Sequence, residues 1–317
     1  MTKQDSCPPA ADCARGAGSL ARASYPVPAR IALSALFLLA AFGTPAQAEW
    51  LLDITAGATY DSNLTHAADT PDVRRDFAAT FDASAGQFFA MTGNDGVTLT
   101  ANARGESYVR YRGLDLAAIG ASAVYRHKFG LGWSAPWAAL TANGSYDRYR
   151  SELRDGARFD VRAEVGRRFT ESVDALVGMA YDRRYARNGD PEVPGIPGNV
   201  FALIGQSAYF QAGYAISERW LFSVNGAIRR GDVESTSQQG TAVFLASSAI
   251  AEDPAFHDSR LYAYRLRGTT TTLGATLSLA LNERSSLDLR YSYASTRSPQ
   301  DLEYRSHNAD LLFAYHF

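Results

Sequence analysis

The side chains able to do chemistry in this sequence are mostly charged, and they recur at every second position. Arg104 and Glu106 stand at this spacing, with Arg110 and Arg112 in phase after them, and so do Asp160, Arg162 and Glu164, with Arg168 in phase. Asp182 with Arg184, and Asp288 with Arg290, repeat the pattern. Two residues is the period of a β-strand, so each set lies on one strand face. Arg126, Lys128, Arg229, Asp53, Asp82, Asp147, Asp174 and Asp310 extend the set to ten bases and ten acids. Balanced fixed charge on an inward face has two uses. In contact with water it forms a wall that selects ions, and without water it forms a salt-bridged filling. Arg104 and Glu106 are expected to pair with Asp160, Arg162 and Glu164 from a facing wall. Hydrolytic chemistry has weaker support. Ser306 and His307 are sequence neighbours, so a strand points them to opposite faces and they cannot serve as nucleophile and base. His257 and Asp258 are adjacent in the same way, and His66, His127 and His316 stand apart from any such partner. No His-Glu-x-x-His, Gly-x-Ser-x-Gly or phosphate-binding loop occurs. Neither a metal nor a cofactor is expected.

The elements that must position these residues read as strands from residue 50 onward. Trp50, Leu52, Ile54, Ala56, Ala58 and Tyr60 share one face, with Asp53, Thr55, Gly57 and Thr59 on the other. Val97, Leu99, Ala101, Ala103, Val109 and Tyr111 likewise oppose Thr98, Thr100, Asn102 and the charges from Arg104 on. Twelve segments show this alternation: 50–60, 76–91, 97–112, 116–129, 136–149, 157–169, 173–186, 200–216, 220–231, 262–281, 286–296 and 304–317. Most exceed the roughly 5–6 residues usual for strands of soluble proteins. They suit the roughly 9–11 that a tilted strand needs to cross a bilayer.

The connectors alternate between short polar turns (92–96, 170–172, 217–219, 282–285) and long segments (61–75, 187–199, 232–259). Trp50, Trp133, Trp137 and Trp220 fall at the short-turn ends, whereas Tyr60, Tyr108, Tyr146, Tyr185 and Tyr291 gather at the long-loop ends. Two aromatic girdles, short turns on one side and long loops on the other describe an all-β, antiparallel up-and-down transmembrane barrel. The pattern predicts twelve strands over residues 49–317, with fourteen as the alternative. Mean hydropathy of −0.20 fits, because such a barrel averages an apolar outside with a polar inside. Hydrophobic residues at 46% and charged residues at 20% exclude a disordered chain. A formal charge of −2 leaves no basic surface for nucleic acid.

Two segments stand outside the alternation. Residues 31–42 form an apolar run that follows Arg22 and Arg30 and precedes Ala46-Gln47-Ala48, so residues 1–48 read as a signal peptide. This leader holds both cysteines, Cys7 and Cys13, which leaves residues 49–317 without disulfides or thiolate metal ligands. Within loop 232–259, the stretch 241–251 is apolar throughout its length. It can fold into the lumen as a constriction, cap the mouth as a short helix, or add the strand pair that makes fourteen.

The last nine residues place Ala309, Leu311, Phe313, Tyr315 and Phe317 on one face and end on Phe. This resembles the C-terminal assembly signal of Gram-negative outer-membrane barrels. The resemblance implies recognition by the barrel-assembly machinery through Phe313, Tyr315 and Phe317, and residence among outer-membrane lipids. Residues 57–67, Gly-Ala-Thr-Tyr-Asp-Ser-Asn-Leu-Thr-His-Ala, resemble the opening of the barrel domain of surface lipoprotein assembly modifiers. That family adds a tetratricopeptide region, which is not expected in this chain. Ser306, His307 and Asn308 resemble in type the residues used at the barrel rim by outer-membrane phospholipases, although the pairing constraint stands. The expected function is a porin-like channel for small polar solutes, constricted by loop 232–259. Its lumen is expected to be lined by Arg104, Glu106, Arg110, Asp160, Arg162, Glu164, Arg168, Asp182, Arg184, Arg229, Asp288 and Arg290. The alternatives are a structural or surface-interaction barrel with a salt-bridged lumen, and a lipid or peptide hydrolase active at the rim.

Overall fold

The computed structural model describes residues 49–187 and 193–317, so the expected leader lies outside the described residues. Thirteen strands form one sheet. In chain order they are β1 (Glu49–Asp61), β2 (Asp76–Ala90), β3 (Asp95–Tyr108), β4 (Leu116–Lys128), β5 (Trp137–Tyr149), β6 (Gly156–Arg168) and β7 (Val173–Ala186). There follow β8 (Ile204–Ala215), β9 (Trp220–Ser237), β10 (Ser247–Glu252), β11 (Tyr262–Asn282), β12 (Ser285–Ser298) and β13 (Leu302–His316).

Successive hairpins run from β1 to β9. β9 then pairs with β11, from Trp220 opposite Leu279 to Ser237 opposite Tyr262. β12 and β13 continue the sheet, and β13 returns antiparallel to β1, with Asp53 opposite His316 and Asp61 opposite Asn308. Twelve strands therefore close a barrel that leaves no unpaired edge at membrane depth. The thirteenth, β10, is short. It lies on β11 at Tyr262–Leu266, whereas β12 pairs with the same strand from Thr269. The fourteen-strand alternative is thereby corrected. β11 overhangs the β12–β13 turn, and this overhang offers one free edge, which a single strand satisfies.

Each barrel strand coincides with one of the twelve alternating segments, and the differences lie at their ends. β3 stops at Tyr108 instead of residue 112. The Asp76 carboxylate accepts the backbone N–H groups of Arg110 and Tyr111, at 2.7 and 3.0 Å, and turns the chain aside. β8 begins at Ile204, after the segment expected from residue 200. β9 runs on to Ser237, past 231, because β11 supplies a partner for each of those residues.

The outward register carries Leu52, Phe81, Ile119, Leu140, Val165, Val177, Met179, Phe210, Ile228, Leu273, Leu289 and Leu311, all exposed. An apolar face left outward by every strand is suited to lipid, because water would penalise it. The buried apolar side chains gather elsewhere, among the long loops at the mouth opposite the four tryptophans. One cluster is Val200, Phe201, Ala249, Ala251 and Ala263, and a second is Val243, Ile250, Tyr264, Leu266 and Tyr304. A third is Leu114, Ala255, Phe256 and Leu261.

Met179 and Ala180 are neighbours near the middle of β7, the first outward and exposed and the second inward. Met179→Arg is expected to cost about 2–4 kcal/mol in urea unfolding from lipid vesicles, the range for Arg on a lipid face near the midplane. Ala180→Ser is expected to change stability by less than about 0.5 kcal/mol. The reverse ranking would put β7 one residue out of register.

Candidate functional site

The inward positions differ around the barrel. On β11, β12, β13 and β1 they are mostly small or hydroxylated: Thr270, Thr272, Thr276, Ser278, Ser286, Ser292 and Thr55. The charges on this side pair locally, Arg290 with Asp288 at 3.2 Å, Asp310 with the Thr59 hydroxyl and Asp53 with His316. The inward charges of β3, β5, β6, β7 and β9 form the other wall. Five strands separate β1 from β7 in either direction round the closed sheet, so the two kinds of wall face one another.

The charged wall pairs along itself. Arg104 meets Glu106 on its own strand and Asp82 on β2, the latter at 3.9 Å. Arg158 pairs with Asp147, and Arg162 donates from Nε to Asp160 at 2.9 Å. Asp160 also accepts from the Asn143 amide at 2.9 Å. The ion pairs seen here run along the wall, whereas the sequence suggested pairing across the lumen from Arg104 and Glu106 to Asp160, Arg162 and Glu164. β4 and β5 hold β3 away from β6, and a partner on the same or an adjacent strand is nearer.

Two contacts reach over an intervening strand, and each crosses a glycine. The Tyr209 hydroxyl on β8 donates to Glu164 on β6 at 2.7 Å, passing β7 at Gly178, which stands opposite both residues. Arg229 on β9 donates twice to Asp182 on β7, at 2.7 and 3.0 Å, passing β8 at Gly205. A Cβ at Gly178 would collide with the Tyr209 ring, and one at Gly205 with the Arg229 guanidinium. At both positions glycine supplies the space, not an unusual backbone angle.

Exposure varies with height along the wall. The side chains of Asp82 and Arg162, near mid-barrel, are 54% and 24% exposed. Those of Asp147 and Arg184, toward the long-loop mouth, are 3% and 4% exposed. Arg110 and Arg112 lie beyond the end of β3, exposed in the following turn, and Arg168 is exposed as the last residue of β6. Arg110 and Arg112 were expected on the inward wall by extending alternation past the end of β3, whereas Arg168 keeps its phase but stands at the short-turn end of β6.

The long-loop mouth is covered by loop 238–261, which contains the helix α1 (Thr241–Ala246) and β10. This loop touches the whole rim. Asp258 meets Arg74 of loop 62–75 at 3.6 Å. Phe256 stacks edge-on against Tyr111, with ring centres 5.2 Å apart, and Ala255 leaves no room for a Cβ at Gly113. Asp253 pairs with Arg154 of loop 150–155, Ala249 and Ala251 cluster with Phe201, and Val243 clusters with Tyr304 of β13. Of the three placements open to 241–251, the helix cap agrees with α1 over its first half. The second half adds the single strand β10.

Beneath this cover lies an ionic cluster in which Arg154, Arg184 and Asp253 are buried and Glu234 stays partly exposed. Arg154 donates to Asp253 at 2.5 Å and lies 3.7 Å from Glu234. Arg184 donates to Glu234 at 3.4 Å and to the backbone carbonyl of Arg154 at 2.7 Å. Asp253 is fully buried and also accepts from the Thr236 hydroxyl at 2.8 Å and the Ala255 N–H at 3.2 Å. The Phe201 ring lies 4.3 Å from the Arg154 guanidinium carbon and 5.3 Å from that of Arg184. Burial works against the Arg154 charge, yet Asp253 and Glu234 more than offset it and hold the guanidinium above its ordinary pKa. Two arginines and two carboxylates leave the cluster neutral. Sequence reasoning missed Arg154, Glu234 and Asp253. Arg154 and Asp253 sit on loops without periodicity, and Glu234 lies past the expected end of its strand. Arg158 was legible, being two residues before Asp160 on the same face.

At the rim, the Ser306 hydroxyl donates to Asp61 at 2.7 Å, whereas the His307 ring meets the Tyr291 hydroxyl at 2.8 Å on the other face of β13. Among the described residues no cluster of His, Cys, Asp and Glu is arranged to hold a metal ion.

No protein-family model matches the chain, and no curated protein matches its sequence. Among solved structures, an outer-membrane channel from Pseudomonas putida F1 has a TM-score of 0.53 at 9% identity, over 87% of this chain and 97% of that one. The NanC porin has a TM-score of 0.46 at 10% identity, over 83% and 98%. The translocator domain of the autotransporter NalP from Neisseria meningitidis has 0.42 at 12%, over 91% and 96%. The first likeness shows the fold, which is that of an outer-membrane β-barrel.

Arg154→Ala is expected to cost about 3–5 kcal/mol in urea unfolding, because it leaves Asp253 buried without its counter-charge. Arg162→Ala, whose partner Asp160 keeps Asn143 and water, is expected to cost less than about 1 kcal/mol. Comparable losses in the two variants would contradict a buried Arg154–Asp253 pair above a wet wall.

Proposed function

We propose that this chain is an outer-membrane channel for small polar solutes, with one charged wall and an outer mouth closed by loop 238–261. The observation that carries this reading is the change in exposure with height. Asp82, Arg104 and Arg162 keep a water-accessible surface, whereas Arg154, Arg184 and Asp253 under the loop have lost it. A solute entering the wet part meets paired acids and bases on one side and hydroxyls on the other. Such a lining suits a polar or zwitterionic solute and disfavours a hydrophobic one. The lining residues on this reading are Arg104, Glu106, Asp160, Arg162, Glu164, Asp182, Arg229, Asp288 and Arg290, with Arg184 above them in the cluster under the loop. The second reading, a structural or surface-interaction barrel, draws support from the extensive pairing along the charged wall. A rim hydrolase is disfavoured by the separate partners of Ser306 and His307.

Localisation follows the same proposal: removal of residues 1–48, delivery to the barrel-assembly machinery, and insertion among outer-membrane lipids. Phe313, Tyr315 and Phe317 form the assembly signal. The Phe317 N–H donates to the Leu52 carbonyl at 3.0 Å, and its ring stacks edge-on against Tyr315 at 4.8 Å, so the signal also completes the β13–β1 seam. Deletion of Phe317 is expected to lower the yield of heat-modifiable, membrane-inserted protein severely. An undiminished yield would remove this residue from the signal.

Planar-bilayer recording tests the channel. Deleting residues 241–251 is expected to raise single-channel conductance several-fold, and Arg162→Glu to shift selectivity toward cations, since fixed charge selects its counter-ion. A deletion variant that is folded and inserted yet electrically silent would favour the filled barrel.

A further inference from the structure

The outer wall also carries charge, and four arginines stand close together on one arc. Arg183 on β7, Arg230 on β9, Arg267 on β11 and Arg297 on β12 are all exposed. They share the outward register with Ile228, Leu273 and Tyr291, and they lie past those residues toward the long-loop end. Thr269 stands opposite Arg230 on one side and Arg297 on the other, and Arg267 is two residues along the same strand. Neighbouring strands are about 4.8 Å apart, so three flexible side chains surround one position and can converge on one group. Arg183 stacks on Tyr185, with its guanidinium carbon 4.4 Å from the ring centre. It stands opposite Ile204, and the next outward residue of β8, Gln206, stands opposite Arg230.

Two acids, Asp232 and Glu303, stand beside these arginines, each with another partner of its own, and leave the group of four arginines net positive. The Asp232 carboxylate, opposite Arg267, accepts the Ile204 N–H at 3.2 Å. Glu303, opposite Arg297, accepts from Arg305 and from the Ser295 hydroxyl, at 3.2 and 3.1 Å. Among the described residues no carboxylate forms a salt bridge with Arg183, Arg230, Arg267 or Arg297. On the opposite arc the outward residues at this end are apolar or aromatic: Tyr60, Phe77 and Val109. Arg148 on β5 is also outward and exposed at this end, so what distinguishes the β7–β12 arc is the close grouping of three arginines around Thr269.

Like charges this close repel one another unless an anion joins them, and at this height the wall leaves the hydrocarbon and meets headgroups. Guanidinium groups bind phosphate through paired N–H donors, which an ammonium cannot match. We propose that the β7–β12 arc is a docking face for a lipid whose headgroup bears phosphate, a phosphorylated glycolipid of the outer leaflet. Its acyl chains lie along Ile228 and Leu273, while Arg230, Arg267 and Arg297 hold a phosphate, with Gln206 and Thr269 at the margin. The assignment is independent of whether the lumen conducts.

The test uses the full chain in neutral detergent, titrated with a bis-phosphorylated glycolipid and with the same lipid after dephosphorylation, and read by native mass spectrometry. The phosphorylated lipid is expected to be retained, and removal of its phosphates to weaken binding by about tenfold or more. Combining Arg230→Gln, Arg267→Gln and Arg297→Gln is expected to do the same. Three Lys replacements, which keep charge but lose the paired donors, are expected to fall between. Arg219→Gln with Arg284→Gln, at the short-turn end, is expected to leave retention unchanged. Heat-modifiable mobility reports folding of each variant, and if the Gln triple does not fold, the two lipids on the unaltered chain decide. Equal retention of both lipids, or undiminished retention by a folded Gln triple, would overturn the proposal. Displacement of the lipid by inorganic phosphate at matched concentration would also overturn it, in favour of a free anion.

Discussion

A hydrocarbon layer contains no water to satisfy backbone N–H and C=O groups, and most of this structure follows from that restriction. The sheet has to close, and it does so where β13 meets β1. Closure commits each strand to an alternation of lipid-facing and inward side chains, so the apolar residues that would form a core in water face outward. Where β11 rises above the β12–β13 turn, a free edge reappears, and β10 covers it. That departure lies outside the span, where β10 is held by burial among the loop clusters.

Closure also decides how the inward side chains meet. Twelve strands enclose more space than one layer of side chains fills, and fewer than an open porin has. Here the large charged groups occupy one wall and small hydroxylated groups the other. Most of these charges have an opposite partner along the wall, and Glu164 instead accepts from the Tyr209 hydroxyl. Gly178 and Gly205 let that pairing skip a strand, which ties β6 to β8 and β7 to β9 beyond the backbone ladder.

The protein buries its conventional core outside the membrane span, in the loops over one mouth. Phe201, Tyr264 and Leu261 are nearly inaccessible there, as is Asp253. A buried carboxylate is tolerable only with its partners in place, and Arg154, Thr236 and the Ala255 N–H supply them. The same groups fasten loop 238–261 to loop 150–155 and to β9. The cover therefore depends on one charge cluster more than on any single apolar contact.

The sequence by itself determined the strands, their faces and the two ends of the barrel. Val97, Leu99 and Ala101 against Thr98, Thr100 and Asn102 declare a strand without knowledge of its neighbours, and the tryptophans mark one rim wherever the chain turns. Alternation is a property of adjacent residues, and burial on one side of a strand fixes it locally. Tertiary structure decided the rest. Arg154 and Asp253 are 99 positions apart, and nothing near either announces the other. Arg110 and Arg112 continue the alternation of β3 on paper, yet the Asp76 carboxylate ends that strand. The partners of the inward charges, the length of β9 and the fate of residues 241–251 all depend on which strands closure brings side by side. Those relations are set by the geometry of the whole barrel, and no short stretch of sequence contains them.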